Sequence, residues 1–343
     1  MHLRQSFLKK RSICEFFSLI LQQQLQKKSF LIMINRTLIR LKIVQLMYSY
    51  YQNGGKNVDT AEKELLFSLS KAYDLYNYLL MLITAVTKYA LEQVERQERN
   101  NKIAHCDQVV NRRFAENKFA LQLEQNKYLN EFKDTNKKTW ENDKDYIKDL
   151  YNRIVATDFY VSYMSEEECD YKADREIWRK IYKNIIMKDE RLDEVLEDQS
   201  LYWNDDKEIV DTFVLKTIKR FDPKNKSNQE LLPEYQSQED QEFAIKLFRS
   251  TILNADTYQR YMSETSKNWD FSRLAYMDIV IMQIAIAEIV NFPNIPISVT
   301  INEYVDLAKL YSTPKSGGYI NGMLDAIAHY LVQTGKVMKA VKG

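Results

Sequence analysis

Glycine is scarce in this chain. Seven occur in 343 residues, at 54, 55, 317, 318, 322, 335 and 343, and none stands between 55 and 317. Average usage near 7% would give about 24. Tight hairpins, doubly wound sheets and phosphate-cradling loops draw on glycine for positive φ or close backbone approach, so they are excluded along most of the length. Proline is equally thin, with five in all and none before Pro223. What these absences leave is an all-α protein. Cys14, Cys106 and Cys169 have no CxxC or metal-ligand spacing, which predicts reduced thiols in a cytoplasmic protein rather than a disulfide framework. His2, His105 and His329 are isolated and form no HExxH pair, so no metal centre is expected. Lys315-Ser316-Gly317-Gly318 lacks the upstream GxxxxG and the strand of a P-loop and is read as an interhelical turn. No catalytic residue and no cofactor is expected.

What is present is apolar surface and a lopsided charge distribution. With 45% hydrophobic residues and a length suited to about two domains, the chain can bury a real core. The net charge of +1 conceals an asymmetry: residues 1–57 hold ten basic residues against the single acid Glu15, leaving 39 basic and 47 acidic residues elsewhere. A basic N-terminal arm on an acidic body suits an anionic partner at that end. Lys9-Lys10-Arg11 followed by Ile13 to Leu21 imitates a signal peptide. Gln22-Gln23-Gln24 then stands where a small-residue cleavage site belongs, and the apolar run is too short to span a bilayer. The economical expectation is that Met33 is the natural start and that residues 1–32 are an upstream extension.

Asn35 can cap a helix through Tyr48 that stops near Asn53-Gly54-Gly55, with Arg36 and Arg40 four residues apart on one face of its exposed end. From Val58 to about Arg99 the apolar positions keep a helical period, which predicts one long helix or two joined by a bend. Residues 101–220 read as further amphipathic helices, with the charge clusters between Asp134 and Asp149 as solvated faces. Phe221 to Pro233 is the clearest linker. Beyond it, helices are expected at Gln238–Leu253, Asp256–Ser266, Ser272–Val290, Ser298–Tyr311 and Tyr319–Gln333, the third apolar on every side except Asp278 and Glu288. A weak internal repeat at an offset of 66 aligns Asp174 with Asp240 and Trp203 with Trp269; amphipathic helices produce such matches by chance as well.

The C-terminal pattern is specific: Asp278-Ile279-Val280, Glu288, Pro296, Ile301-Asn302-Glu303, Leu307-Ala308-Lys309, and Tyr319-Ile320-Asn321-Gly322-Met323-Leu324-Asp325. It resembles the transcription antitermination factor NusB family, whose closing signature is INE, LAK and an aromatic followed by VNGVLD. Val44-Gln45-Leu46-Met47-Tyr48-Ser49-Tyr50 resembles the family's VQALYSW segment, preceded by basic residues at Arg36 and Arg40. The resemblance divides the chain into the extension 1–32, a basic N-terminal helix within 33–57, a helical insertion over 58–235, and a NusB-like C-terminal domain over 236–343.

The resemblance implies an all-helical RNA-binding protein that pairs with ribosomal protein NusE, holds single-stranded boxA RNA, and acts with the transcription elongation complex at ribosomal RNA operons, away from membranes. Carried over, RNA contact falls to Arg36 and Arg40, then Gln45, Tyr48 and Tyr319, with Asp278 either facing the protein partner or capping an internal network. Thr37 and Leu38 stand where the family can carry further arginines, so the insertion could supply basic residues such as Arg112 and Arg113. Asn321-Gly322 inside a helix is reasonable if another helix packs closely there. Two other readings stay open: a purely structural helical adaptor, and an accessory subunit of an RNA-modifying enzyme.

Overall fold

The computed structural model describes residues 34–55, 57–167, 170–235, 237–265, 275–313 and 315–339. The expected extension, the Met33 start and Trp269 of the repeat lie outside the described residues. Among these the protein is all-α: α1 (Arg36–Gln52), α2 (Val58–Ile103), α3 (Lys118–Glu124), α4 (Lys127–Asn136), α5 (Lys144–Val155), α6 (Asp158–Ser165), α7 (Tyr171–Asn184), α8 (Glu190–Gln199), α9 (Lys207–Arg220), α10 (Gln238–Leu253), α11 (Ala255–Thr265), α12 (Tyr276–Asn291), α13 (Ile297–Tyr311) and α14 (Ser316–Gln333). None of the described helices is long and apolar enough to cross a membrane.

The helices group into two compact units. One takes residues 34–69 and 235 onward, the other Ser70–Glu234. The expected division at 57/58 therefore moves into the long helix α2, which is continuous over 46 residues, roughly 70 Å at 1.5 Å per residue, and contributes to both units.

In the first unit α12 is the hub. Its residues from Val280 to Ile289 are all buried, as an apolar sequence with no polar face requires, and it packs against α1, α10, α11, α13 and α14. Asn35 caps α1, its side chain accepting from the Leu38 amide at 2.9 Å. The second unit is organised by aromatic packing. Tyr78 stacks on Trp140 at 4.2 Å between centroids and lies 5.0 Å from Trp203, while Trp178 stacks on Phe114 at 5.3 Å. The indole N–H groups of Trp140 and Trp203 donate to the carbonyls of Tyr78 and Lys71, so these two indoles are satisfied where they are buried.

The segment expected to be a linker is packed into the second unit. Phe221 and Leu232 are fully buried, Gln122 Nε2 donates to the carbonyls of Asp222 and Lys226 at 2.9 Å, and Asn126 Nδ2 donates to the Gln229 carbonyl at 2.7 Å. Proline and polar residues mark irregular backbone, and the amides of α3 and its following turn satisfy that backbone internally.

The helix order α7–α8–α9 recurs at the offset of 66 as α10–α11–α12. Asn117 caps α3 as Asn35 caps α1, and Asp174 Oδ2 accepts from the Lys118 amide where Asp240 Oδ1 accepts from Arg36. Gln122 bonds to the backbone carbonyl of Asp222, whereas Arg40 bonds to the carboxylate of Glu288, the residue that aligns with Asp222.

Candidate functional site

The basic start of α1 places two guanidinium groups over one ring. Arg36 and Arg40 stand 5.0 and 5.5 Å from the centroid of Phe243 on α10, as a spacing of four residues dictates. Their environments differ sharply. The Arg36 side chain is 41% exposed, its Nε donating to Asp240 Oδ1 at 3.2 Å. Arg40 is 4% exposed and is consumed inside the protein.

Arg40 meets Glu288 side-on, with Nε and one terminal nitrogen each donating at 2.8 Å and the other terminal nitrogen reaching Glu303 Oε2 at 3.2 Å. Glu288, wholly buried on α12, also accepts from Thr300 Oγ1 at 2.8 Å and from the Tyr304 hydroxyl at 3.0 Å. Thr37 Oγ1 donates to Glu303 Oε2 at 3.1 Å and joins the same network. Burial alone would lower the Arg40 pKa, but attraction to Glu288 and the hydrogen bonds between them leave it above its ordinary value. Burial, then the neighbouring carboxylate, pushes the Tyr304 phenol far up, so it remains a donor. The expectation of two arginines at an exposed helix end is therefore corrected at Arg40, whose guanidinium ties α1 to α12 and α13.

The remaining expected residues fall into separate groups. Gln45 lies elsewhere on α1, its Nε2 donating to the Tyr311 hydroxyl at 2.9 Å. Tyr48, 38% exposed and roughly 18 Å along the helix from Arg36, meets the exposed Tyr276 edge-on at 5.8 Å. Asp278 is buried, with Oδ2 accepting from Ser316 Oγ at 2.9 Å, so of its two expected roles the internal one is observed. Tyr319, half-buried one turn into α14, has its phenol raised by burial and then by the charge of Asp278. Arg112 is paired with Glu98 and Glu116, and Arg113 with Glu166, so neither presents an unpaired cation.

Glu288, Glu303, Thr300, Tyr304 and Phe243 are the framework around Arg40 that sequence reasoning did not assemble. The available signal was Glu288, one of two acids in an otherwise apolar helix. A buried carboxylate demands a cation.

This is a helical module closed around a buried arginine–glutamate pair, with a basic helix start at its rim. A family model described as the NusB family matches residues 212–329, a span that opens within α9. The transcription antitermination protein NusB of Natranaerobius thermophilus is 46% identical over 81 residues, covering 24% of this chain and 58% of that protein. The corresponding protein of Salinibacter ruber is 33% identical over 102 residues, 30% of this chain and 64% of its own length. That of Desulfatibacillum aliphaticivorans is 38% identical over 101 residues, 29% and 68% respectively. The chain thus spans about three-fifths of the length of the first two relatives. A solved structure of T. maritima NusB is 25% identical, with coverage of 46% of this chain and 95% of that one and a TM-score of 0.27. The chain belongs to the NusB family.

Proposed function

We propose that this protein is a non-catalytic, RNA-binding transcription antitermination factor that holds boxA RNA together with ribosomal protein NusE. The observation that carries the reading is the family match, whose relatives are named transcription antitermination proteins. The chemistry at the α1 rim is suited to it. Single-stranded RNA is bound by cations along its phosphates and by aromatic or guanidinium planes against unstacked bases. Arg36 offers the guanidinium, and the exposed Tyr48–Tyr276 pair offers the rings further along the same helix. Gln45 and Tyr319 are assigned supporting contacts. Arg40 acts as a positioning residue that fixes the pitch of α1 against α12.

Fluorescence anisotropy with boxA-containing and scrambled RNA, with and without NusE, tests the assignment. Binding should prefer boxA, tighten with NusE and weaken in Arg36→Ala. If Arg36→Ala leaves every affinity unchanged, the chain is a helical adaptor that keeps the fold without this function.

A further inference from the structure

The second unit holds a cavity of about 330 Å³ formed by α2, the loop after it, α5 and α6. Gln93 and Gln97 line it from α2, Gln108 from the loop, and Phe114, Tyr151 and Tyr160 supply its aromatic walls. Gln93 and Gln97 are four residues apart, so their amides share one face of α2. Among the described residues none of the three glutamine amides hydrogen-bonds another protein group. Phe114 is fully buried, stacked on Trp178, and meets Tyr160 edge-on at 5.2 Å and 70°. The Tyr160 hydroxyl hydrogen-bonds that of Tyr151, and burial holds both phenols above their ordinary value, so both stay neutral. No lysine, arginine, histidine or carboxylate lines the cavity.

That lining restricts the ligand. A phosphate, a carboxylate or a metal ion finds no countercharge, and an ion taken from water into such a site is penalised heavily. A purely apolar ligand would leave the half-buried Gln93 amide without a partner, while Gln97 and Gln108 stand exposed at the edge of the cavity. Each glutamine amide presents a donor and an acceptor side by side, which matches a planar ring carrying donors and acceptors along its edge. The volume is at the small end of ligand sites, which run from about 300 to 1,000 Å³. A nucleobase meets every condition: it is neutral, flat, stacks on aromatic rings, and is read along its hydrogen-bonding edge.

We propose that this cavity is a nucleobase subsite taking one unstacked base of single-stranded RNA, its edge read by Gln93, Gln97 and Gln108 and its face set against Tyr151 and Tyr160. The source of the base rests on the RNA-binding reading above; the chemistry of the cavity does not. The extra unit then adds a base contact beyond those assigned to the α1 rim.

The test uses the full chain. Uridine, cytidine, adenosine and guanosine monophosphates, and the hexaribonucleotide of each base, are titrated by calorimetry, and ultraviolet cross-links to the hexamers are mapped by mass spectrometry. One base should be preferred, its hexamer should bind more tightly than its monophosphate, and cross-links should fall on Tyr151 or Tyr160. Gln93→Leu with Gln97→Leu, two good helix formers at positions facing the cavity, should weaken that base about tenfold or more. Tyr160→Phe, which keeps the ring, should retain most of the affinity. Absence of binding by every probe, or binding indifferent to the double glutamine variant, overturns the proposal. A monophosphate that binds as tightly as its hexamer assigns the site to free nucleotides and overturns the strand contact. BoxA binding that depends on Arg36 but produces no cross-link in the cavity removes this site and leaves the antitermination reading standing. Glutamine-dependent base binding without boxA preference does the reverse.

Discussion

Arg40 and Glu288 are separated by 248 residues in sequence, yet two hydrogen bonds of 2.8 Å join them. A buried pair of this kind is weak evidence for net stabilisation, because desolvating two ions opposes their attraction; breaking it by removing one partner is nonetheless severe. Arg40→Ala or Glu288→Ala should lower the stability of the full chain by about 3–5 kcal/mol in urea unfolding. Arg36→Ala removes an ion pair whose guanidinium is partly exposed but whose Asp240 partner is buried, and should cost about 1–2 kcal/mol, less than loss of the fully buried pair. The two substitutions therefore separate a folding defect from a binding defect, and equal destabilisation by both would contradict the burial assigned here. Glu234 permits a pH test. Burial, and then the charge of Asp74, raise its carboxyl above the ordinary 4.5, so ionising it works against the folded state. Its contribution is fully present below the unfolded value and is lost as pH rises through the raised one. Glu234→Gln should flatten that decline, leaving the variant at least as stable as the parent at pH 7 when urea midpoints are compared between pH 4 and pH 7.

At the scale of elements, α14 corrects the expectation for its glycines. A Cβ at Gly322 would meet nothing within 4 Å, so no neighbouring helix requires that glycine. Gly322→Ala should stabilise the protein by up to about 1 kcal/mol in thermal unfolding, through a less flexible unfolded chain and better helix propensity. A fall in melting temperature would mean that an unseen packing constraint acts there. Gly317 is closer packed, with a built Cβ 3.0 Å from Lys309 Cγ, but that neighbour is a flexible side chain and can move aside. The cap at Asn35 and its counterpart at Asn117 differ in reach. Asn35→Ala should cost about 1 kcal/mol as an ordinary N-cap loss. Asn117 is fully buried and also donates to the Tyr163 hydroxyl and the Asp174 carbonyl, so Asn117→Ala should cost more, because it leaves those acceptors buried without their donor. Parallel urea titrations of the two variants would rank them.

On the scale of the whole molecule, the basic end and the acidic remainder predict an electrostatic component in RNA binding. The logarithm of the association constant should fall with the logarithm of salt concentration, with a slope near −0.7 per phosphate contact, and the slope should become shallower by about one contact in Arg36→Ala. A salt-independent affinity would exclude the phosphate contact assigned to Arg36. The all-α class was legible from the sequence alone, because glycine and proline are too few to build turns for a sheet and the apolar residues keep a helical period over long stretches. The helices Gln238–Leu253 and Ile297–Tyr311 are placed within a residue of their expected limits for the same reason. The pairing of Arg36 and Arg40 on one face also follows from local geometry. Exposure does not. Which arginine meets solvent depends on what covers α1, and the covering groups, Phe243, Glu288 and Glu303, come from helices more than 200 residues away. The two open roles of Asp278, and the reading of the packed segment after α9 as a linker, have the same cause: a polar residue in sequence is neutral between solvent and a buried partner until the tertiary contacts choose.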